Sequence, residues 1–258
     1  MTLVKTARPE GSDFNLQIST IPRLVKAGQP FDLSFEIQHP KSGKRVKDFH
    51  IVHDMPFHLF VVSQDLESFA HIHPIGQPDG TFTIETSVPR AGAYLIYCDI
   101  FPVGGLPQVL RGNLLTAGFS GDLFSSRASL TTDTSLSRTV SGILFELTLT
   151  PQIPVAGKKV TLSYKLVDEK TGEAIRDLEP YLGAFGHTLI LSEDTKDYVH
   201  SHPTSLIVDG ADRTQLRGGP EVSFDAFVPR PGRYRIWSQF QRNGKVITIQ
   251  STIEAKPY

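Results

Sequence analysis

Residues 58–73 read "HLFVVSQDLESFAHIH", two apolar runs separated by turn-forming residues and bounded by histidine. Alternating runs around such a break predict a β-hairpin, here with its turn centred on Asp65 and Leu66. Side chains two residues apart on a strand share one face of the sheet. The alternation therefore decides which residues of this hairpin face each other.

The register of this hairpin determines where its histidines lie. With a loop of two or four residues, His58 lies opposite His73, and Phe60 lies opposite His71. The three imidazoles are then expected to converge on one face. A shift of one residue would separate them, so the prediction depends on an even-length loop.

The same pattern returns 129 positions later as "HTLILSEDTKDYVHSH" at 187–202. The alignment at this offset runs without a gap from Pro22 to Pro74. After an eleven-residue insertion in the second copy, it resumes as "VPRAGAYLIYCDIF" against "VPRPGRYRIWSQFQ". Two copies of one fold are therefore predicted, with a second triad of His187, His200 and His202.

Short alternating runs such as "FDLSFEI", "TFTIETSV" and "YLIYCDIF", broken by "KSGK", "QPDG" and "RNGK", predict an all-β protein. At about 100 residues per copy, the expected architecture is two tandem immunoglobulin-like β-sandwich domains. A Ser/Thr-rich stretch between the copies is predicted to be a linker. The expected organisation is a tail at 1–13, repeats at 14–120 and 140–258, and a linker at 121–139.

Histidines in the pattern His-x12-His-x-His, written twice, favour metal binding over a structural role. Their neighbours on the predicted face, Phe60, Val62 and Phe69, are apolar. Charged imidazoles would repel one another there, whereas neutral rings can share a cation. Imidazole suits both copper and zinc, and the general affinity order favours copper. The alternative is that the histidines are hydrogen-bonded parts of the sandwich.

The first repeat holds further candidate ligands, which have no counterparts of the same type in the second. Histidine and methionine near the triad would extend a copper site, although solvated loop residues explain them equally well. The single cysteine alternates with inward-facing positions and is expected to be a core thiol. These additional candidates are His50, His53, Met55, Cys98 and Asp99.

Composition excludes several other classes of function. With 27 acidic and 26 basic residues, bulk charge does not favour nucleic acid or an acidic membrane. One cysteine permits neither an internal disulfide nor a thiolate zinc site. No run approaches the roughly 18 apolar residues of a membrane span, and the first 20 residues do not resemble a signal peptide.

The segment "AGAYLIYCDIFPVGG" resembles the last strands of cupredoxins, in which Gly-x-Tyr leads to a cysteine copper ligand, here Gly92, Tyr94 and Cys98. The resemblance supports a cupredoxin-like sandwich. It does not extend to the blue-copper site, because no His or Met follows Cys98 at the family's spacing and Ser238 replaces it in the second copy.

The opening "PRLVKAG" at Pro22–Gly28 is similar to that of YtkA-like and copper-carrier modules, which are small exported bacterial proteins. This resemblance implies a tandem duplication of a copper-handling module. It also implies a periplasmic or secreted location, with an export signal absent from the sequence, although a cytoplasmic location stays open.

Three hypotheses about function follow. The first is a protein that binds one metal ion per domain, copper or alternatively zinc. The second is a metal-dependent enzyme with a three-histidine centre, since three histidines and an open position also describe catalytic zinc. No general base stands at a readable spacing, so catalytic residues stay unassigned. The third is a metal-free interaction module, whose protein partner is unknown.

Overall fold

The structure is a computed structural model that describes residues 3–5, 14–123, 127–205, 207 and 212–258. Within these ranges the secondary structure is β-strand, turn and bridge, without a helix. Accordingly, the described residues include no helix that could cross a membrane. The chain divides into two compact units, here called domain one (Ala7–Ala128) and domain two (Ser129–Tyr258 with Met1–Thr6).

Domain one is a sandwich of two four-stranded antiparallel sheets, ordered β2-β3-β7-β6 and β5-β4-β8-β9. The predicted strands are all present, and the all-β fold class is confirmed. The strands are β2 (Asn15–Ile21), β3 (Phe31–Gln38), β4 (Phe57–Ser63), β5 (Phe69–Ile72), β6 (Ile75–Gly76), β7 (Phe82–Thr86), β8 (Ala93–Ile100) and β9 (Gln108–Leu115).

Domain two repeats this arrangement with sheets of four and five strands, ordered β10-β11-β12-β15 and β1-β14-β13-β16-β17. The strands are β1 (Leu3–Lys5), β10 (Ser137–Val140), β11 (Ile143–Thr150), β12 (Lys158–Asp168), β13 (His187–Ser192), β14 (Tyr198–Ser201), β15 (Glu221–Val228), β16 (Gly232–Arg242) and β17 (Lys245–Ala255).

The segments predicted as tail and linker are partly described. Strand β1, within the predicted tail, pairs antiparallel with β14, and the rest of that tail (1–2 and 6–13) lies outside the described residues, as do 124–126 of the predicted linker. Leu130 is buried, and its amide donates to Glu193 Oε1 at 2.6 Å. Asp133 exchanges hydrogen bonds with the backbone of Thr252. The segment after residue 128 thus packs on domain two.

Alternation along the strands builds each core. Strand β3 buries every second side chain, including Leu33 and Phe35, which are fully buried in the core of domain one. Strand β4 is different, because all seven of its residues are buried. Phe57, Leu59 and Val61 face the sandwich core, so the alternating residues His58 and Phe60 lie on the opposite face of the sheet.

Domain two contains a buried chain of three hydroxyl groups. Ser238 Oγ lies 2.7 Å from Thr188 Oγ1 and 2.8 Å from the Tyr164 hydroxyl, and each residue is at most 1% exposed. Burial raises the pKa of Tyr164, so the phenol stays protonated. The equivalent residues of domain one are Phe35, Leu59 and Cys98. Where domain one has three apolar side chains, domain two thus has three hydroxyl groups that hydrogen-bond to one another.

We expect Cys98→Ser to lower the free energy of unfolding of domain one by about 1–3 kcal/mol, because the new hydroxyl is buried among apolar side chains. Adding Leu59→Thr and Phe35→Tyr supplies its partners, so the triple variant should lose less than the sum of the three single variants. Urea unfolding of the wild type, the three single variants and the triple variant measures this coupling. Strict additivity would contradict it.

Candidate metal centre

The hairpin register is the predicted one in both domains. Phe60 pairs with His71 across β4 and β5, and the same register places His58 opposite His73. In domain two Leu189 pairs with His200 across β13 and β14. The prediction of an even register is therefore confirmed, and each hairpin carries its histidines on one face.

A four-residue turn sets this register. In domain one Ser63 N donates to Ser68 O at 3.0 Å, closing a loop over residues 64–67. Leu66 takes a left-handed φ of 60°, and Asp65 Oδ1 accepts hydrogen bonds from Ser63 Oγ and Glu67 N. The Asp65 carboxylate also contacts Arg90. Asp65 therefore belongs to the turn, at the far end of the hairpin from the histidines.

Domain two builds the same turn over residues 193–196. Asp194 Oδ1 accepts hydrogen bonds from Ser192 Oγ and Lys196 N, and Arg230 binds both carboxylate oxygens at 2.9 and 3.0 Å. Partial burial alone would raise the pKa of Asp194, but these hydrogen bonds outweigh it and hold that pKa well below its ordinary value. The carboxylate is thus a permanent anchor of the turn near neutral pH.

The triad of domain one brings three nitrogen atoms into a near-equilateral triangle. His58 Nδ1 lies 3.2 Å from both His71 Nε2 and His73 Nε2, which are 3.1 Å from each other. His58 and His71 are 3% and 6% exposed, and His73 is half-buried. The His71 ring stacks on Phe60, with centroids 4.2 Å apart and planes inclined by 15°.

Hydrogen bonds cannot satisfy all three edges of this triangle. An N–H···N bond needs a donor nitrogen at one end and a lone pair at the other. Among three neutral nitrogen atoms at least two are of the same kind, so at most two edges can be hydrogen bonds. A cation removes the conflict, because it accepts a lone pair from every imidazole at once.

The other nitrogen of His58 fixes its tautomer. His58 Nε2 lies 2.8 Å from the carbonyl oxygen of Val52, which can only accept, so Nε2 carries the proton and Nδ1 presents its lone pair to the triad. Val52 begins a tight turn that closes at Met55, with His53 and Asp54 at φ of 48° and 67°. This carbonyl contact is the outer-shell contact typical of ligating histidine.

Domain two assembles the corresponding triad. His187, His200 and His202 each place a ring nitrogen within 4.8 Å of the other two, and all three are buried. His187 Nε2 lies 2.8 Å from the carbonyl oxygen of Tyr181, which leaves Nδ1 for the triad, as in His58. Tyr181 also begins a tight turn, closed at Ala184. Both sites therefore consist of three histidines, and in both the first histidine contacts a backbone carbonyl oxygen.

The further candidates of domain one lie in the segment before β4. His50 is exposed and packs on Phe101, with ring centroids 4.3 Å apart, and His53 and Met55 belong to the tight turn. Neither His50 nor His53 belongs to the group of His58, His71 and His73 that the described residues form.

The neighbouring residues Cys98 and Asp99 face opposite sides of their strand. Cys98 pairs with Leu59 in the sandwich core and is fully buried, which raises the pKa of its thiol well above the usual value. The expectation of a core thiol is confirmed, and its position on the core side of the sheet argues against a role as a ligand. Asp99 pairs with His58 and therefore lies on the face of the triad.

Sequence reasoning missed the carbonyl oxygens of Val52 and Tyr181. A backbone carbonyl is present in every residue, so the residue types do not indicate which carbonyl will accept a hydrogen bond. The sequence signal was the turn in which these carbonyls lie, "HD" at 53–54 in one copy and "LG" at 182–183 in the other. Gln239, which pairs with His187, was also missed because no ligand chemistry marks it out.

Comparison with known families places both repeats in one family. Residues 7–110 and 138–257 match the family described as "Domain of unknown function (DUF8832)". The chain belongs to this family. Its description assigns no function and names neither cupredoxins nor YtkA-like proteins. The two matched regions correspond to the two copies of the sandwich.

Known proteins and solved structures add little to this assignment. No curated protein matches the chain at a significant level. Among similar structures, the adhesin InvE of Yersinia pseudotuberculosis is 7% identical with a TM-score of 0.28 and is aligned over 95% of this chain and 61% of its own. A putative membrane anchored protein of Corynebacterium diphtheriae is 11% identical with a TM-score of 0.26, over 93% and 58%. The chain thus spans less than two thirds of both proteins, and likeness at this level carries no argument about function.

Replacing His71 by Phe tests whether the triad is a structural hydrogen-bond network. Phe keeps the stacking on Phe60 and removes one nitrogen from the triangle, so we expect metal-free His71→Phe to be as stable as the wild type or more stable. His58→Phe should instead lower stability by about 1 kcal/mol, because it removes the bond to Val52. Thermal unfolding in the presence of a chelator measures both. A larger loss for His71→Phe than for His58→Phe would show that the histidines stabilise the sandwich by hydrogen bonding.

Proposed function

We propose that the protein binds one transition-metal ion per domain, through His58, His71 and His73 in domain one and through the second triad in domain two. The observation that carries the proposal is the triangle of nitrogen atoms, which lie 3.1–3.2 Å from one another. The tautomer of one of these residues, His58, is fixed by a backbone carbonyl. Neutral imidazole nitrogens at this spacing are donors for a metal ion.

The size of the triangle supports this proposal. Its vertices lie about 1.8 Å from its centre, slightly less than the roughly 2.0–2.1 Å of a zinc–imidazole bond. His58, His71 and His73 would hold such an ion through three nitrogen donors. The ion would then be able to take water or another ligand as well.

Copper is the metal we propose, with zinc as the alternative. Imidazole is a good ligand for both, and copper stands above zinc in the general order of affinity for nitrogen ligands. The triads contain no thiolate, so the proposal concerns Cu(II) rather than the thiolate sites that favour Cu(I).

We further propose that the protein handles metal in the periplasm or outside the cell. The support is the sequence resemblance to exported copper-handling modules at Pro22–Gly28. Cell fractionation followed by immunodetection of the full-length protein tests the location. Recovery in the cytoplasmic fraction would contradict it.

Metal analysis of protein purified without an affinity tag tests the binding proposal. We expect two equivalents of Cu(II) or Zn(II) per chain, one equivalent after His58, His71 and His73 are replaced by Ala, and none when both triads are replaced. Copper would give a visible and a paramagnetic signal, whereas zinc would give neither.

The matched control for this experiment is His50→Ala, which changes an exposed histidine of the same domain outside the triad. It should retain two equivalents. Wild-type protein that stays metal-free and shows no thermal shift with either ion would refute the proposal.

A further inference from the structure

The two triads have chemically different neighbours on the next strand of the sheet. His58 pairs with Asp99 across β4 and β8, whereas His187 pairs with Gln239 across β13 and β16. Residues paired in this way share a face, with β-carbons about 4.5–5.5 Å apart. Asp99 and Gln239 are 7% and 6% exposed, so each lies in a buried environment beside its triad.

The following strand reinforces the difference. Gln239 pairs with Thr248, and its Nε2 donates to Thr248 Oγ1 at 3.1 Å, so the amide is held by a neutral neighbour. Asp99 pairs with Val109, whose side chain has no polar group. The row of paired residues beside the triad therefore contains a carboxyl group in domain one, and an amide and a hydroxyl in domain two.

We infer that Asp99 makes the two sites unequal, so that the site of domain one binds a doubly charged ion more tightly than the site of domain two. This inference rests on the proposed function. Three neutral imidazoles leave the charge of the ion uncompensated, and a carboxylate within roughly 8 Å of a dication at a buried site strengthens binding by more than tenfold.

Each of these sheet faces also carries an arginine. Arg111 pairs with Tyr97, diagonal to Asp99, and its guanidinium carbon lies 5.4 Å from the centre of the Tyr97 ring. In domain two Arg235 pairs with Leu191, four residues along the strand from His187. The carboxylate is thus the charge nearest to a triad in strand register.

Single-site proteins measure the difference directly. Full-length chains in which either triad is replaced by Ala are titrated with Zn(II) against a competing chelator. We expect the site of domain one to have a dissociation constant at least about tenfold lower than that of domain two. If a triple substitution unfolds its domain, a single substitution that removes one ligand is used in its place. This is His73→Ala for domain one and His202→Ala for domain two.

Isosteric substitutions assign the difference to Asp99. Asp99→Asn should weaken the site of domain one by about tenfold or more, and Gln239→Glu should strengthen the site of domain two, so that the order of the two sites is reversed in the double variant. Melting temperatures of the metal-free variants control for damage to the fold.

A monovalent ion separates charge from shape. For each ion, the effect of Asp99→Asn is the logarithm of the ratio of the wild-type affinity to the variant's affinity. This logarithm should be about half as large for Ag(I) as for Zn(II), because Coulomb energy scales with the charge of the ion. An equal ratio for both ions would mean that Asp99 acts by positioning His58, which overturns the inference.

Equal affinities of the two sites would also overturn it, while leaving the binding proposal intact. Binding at neither site would refute that proposal instead.

Discussion

The register of one hairpin per domain is the constraint on which the rest of the structure depends. A carboxylate, Asp65 or Asp194, holds each four-residue turn by accepting hydrogen bonds from the turn backbone and from a serine. An even loop places apolar side chains toward the sandwich and imidazoles on the other face. One inserted residue would exchange the two faces, and both the core and the histidine group would be lost.

Much of this arrangement could be predicted because it depends on local features. Strand alternation, the turn and the repeat are all properties of short segments, and they correctly gave the pairing of Phe60 with His71. Cys98 was likewise expected in the core from its alternation with Tyr94 and Ile96.

The features that sequence reasoning missed depend on backbone contacts and on the pairing of distant segments. The pairing of His187 with Gln239 joins strands that are some 50 residues apart, and no local pattern sets it. The carbonyls of Val52 and Tyr181 reach the histidines only because the chain before each hairpin folds back in a tight turn. The pairing of Leu3–Lys5 with β14 is similarly remote in sequence.

Duplication has left the two domains with the same framework and different chemistry. Both retain the turn, the triad and the carbonyl contact, which form a connected unit along one hairpin. Differences appear in the neighbouring strand, where Asp99 corresponds to Gln239 and Cys98 to Ser238. The hairpin thus sets which atoms can bind, and the adjacent strand adjusts charge and packing around them.

The buried hydroxyl chain of domain two also affects how a chain with two similar halves reaches its native state. Tandem copies of one fold are prone to exchange equivalent strands during folding. If β4 took the place of β13, Leu59 would face Ser238 in place of Thr188, and Ser238 would lose one of its hydrogen-bond partners inside the core. If β13 took the place of β4, Thr188 would be buried beside Cys98 among apolar side chains. Pairing within a domain therefore keeps core hydrogen bonds that an exchange of strands between domains would lose.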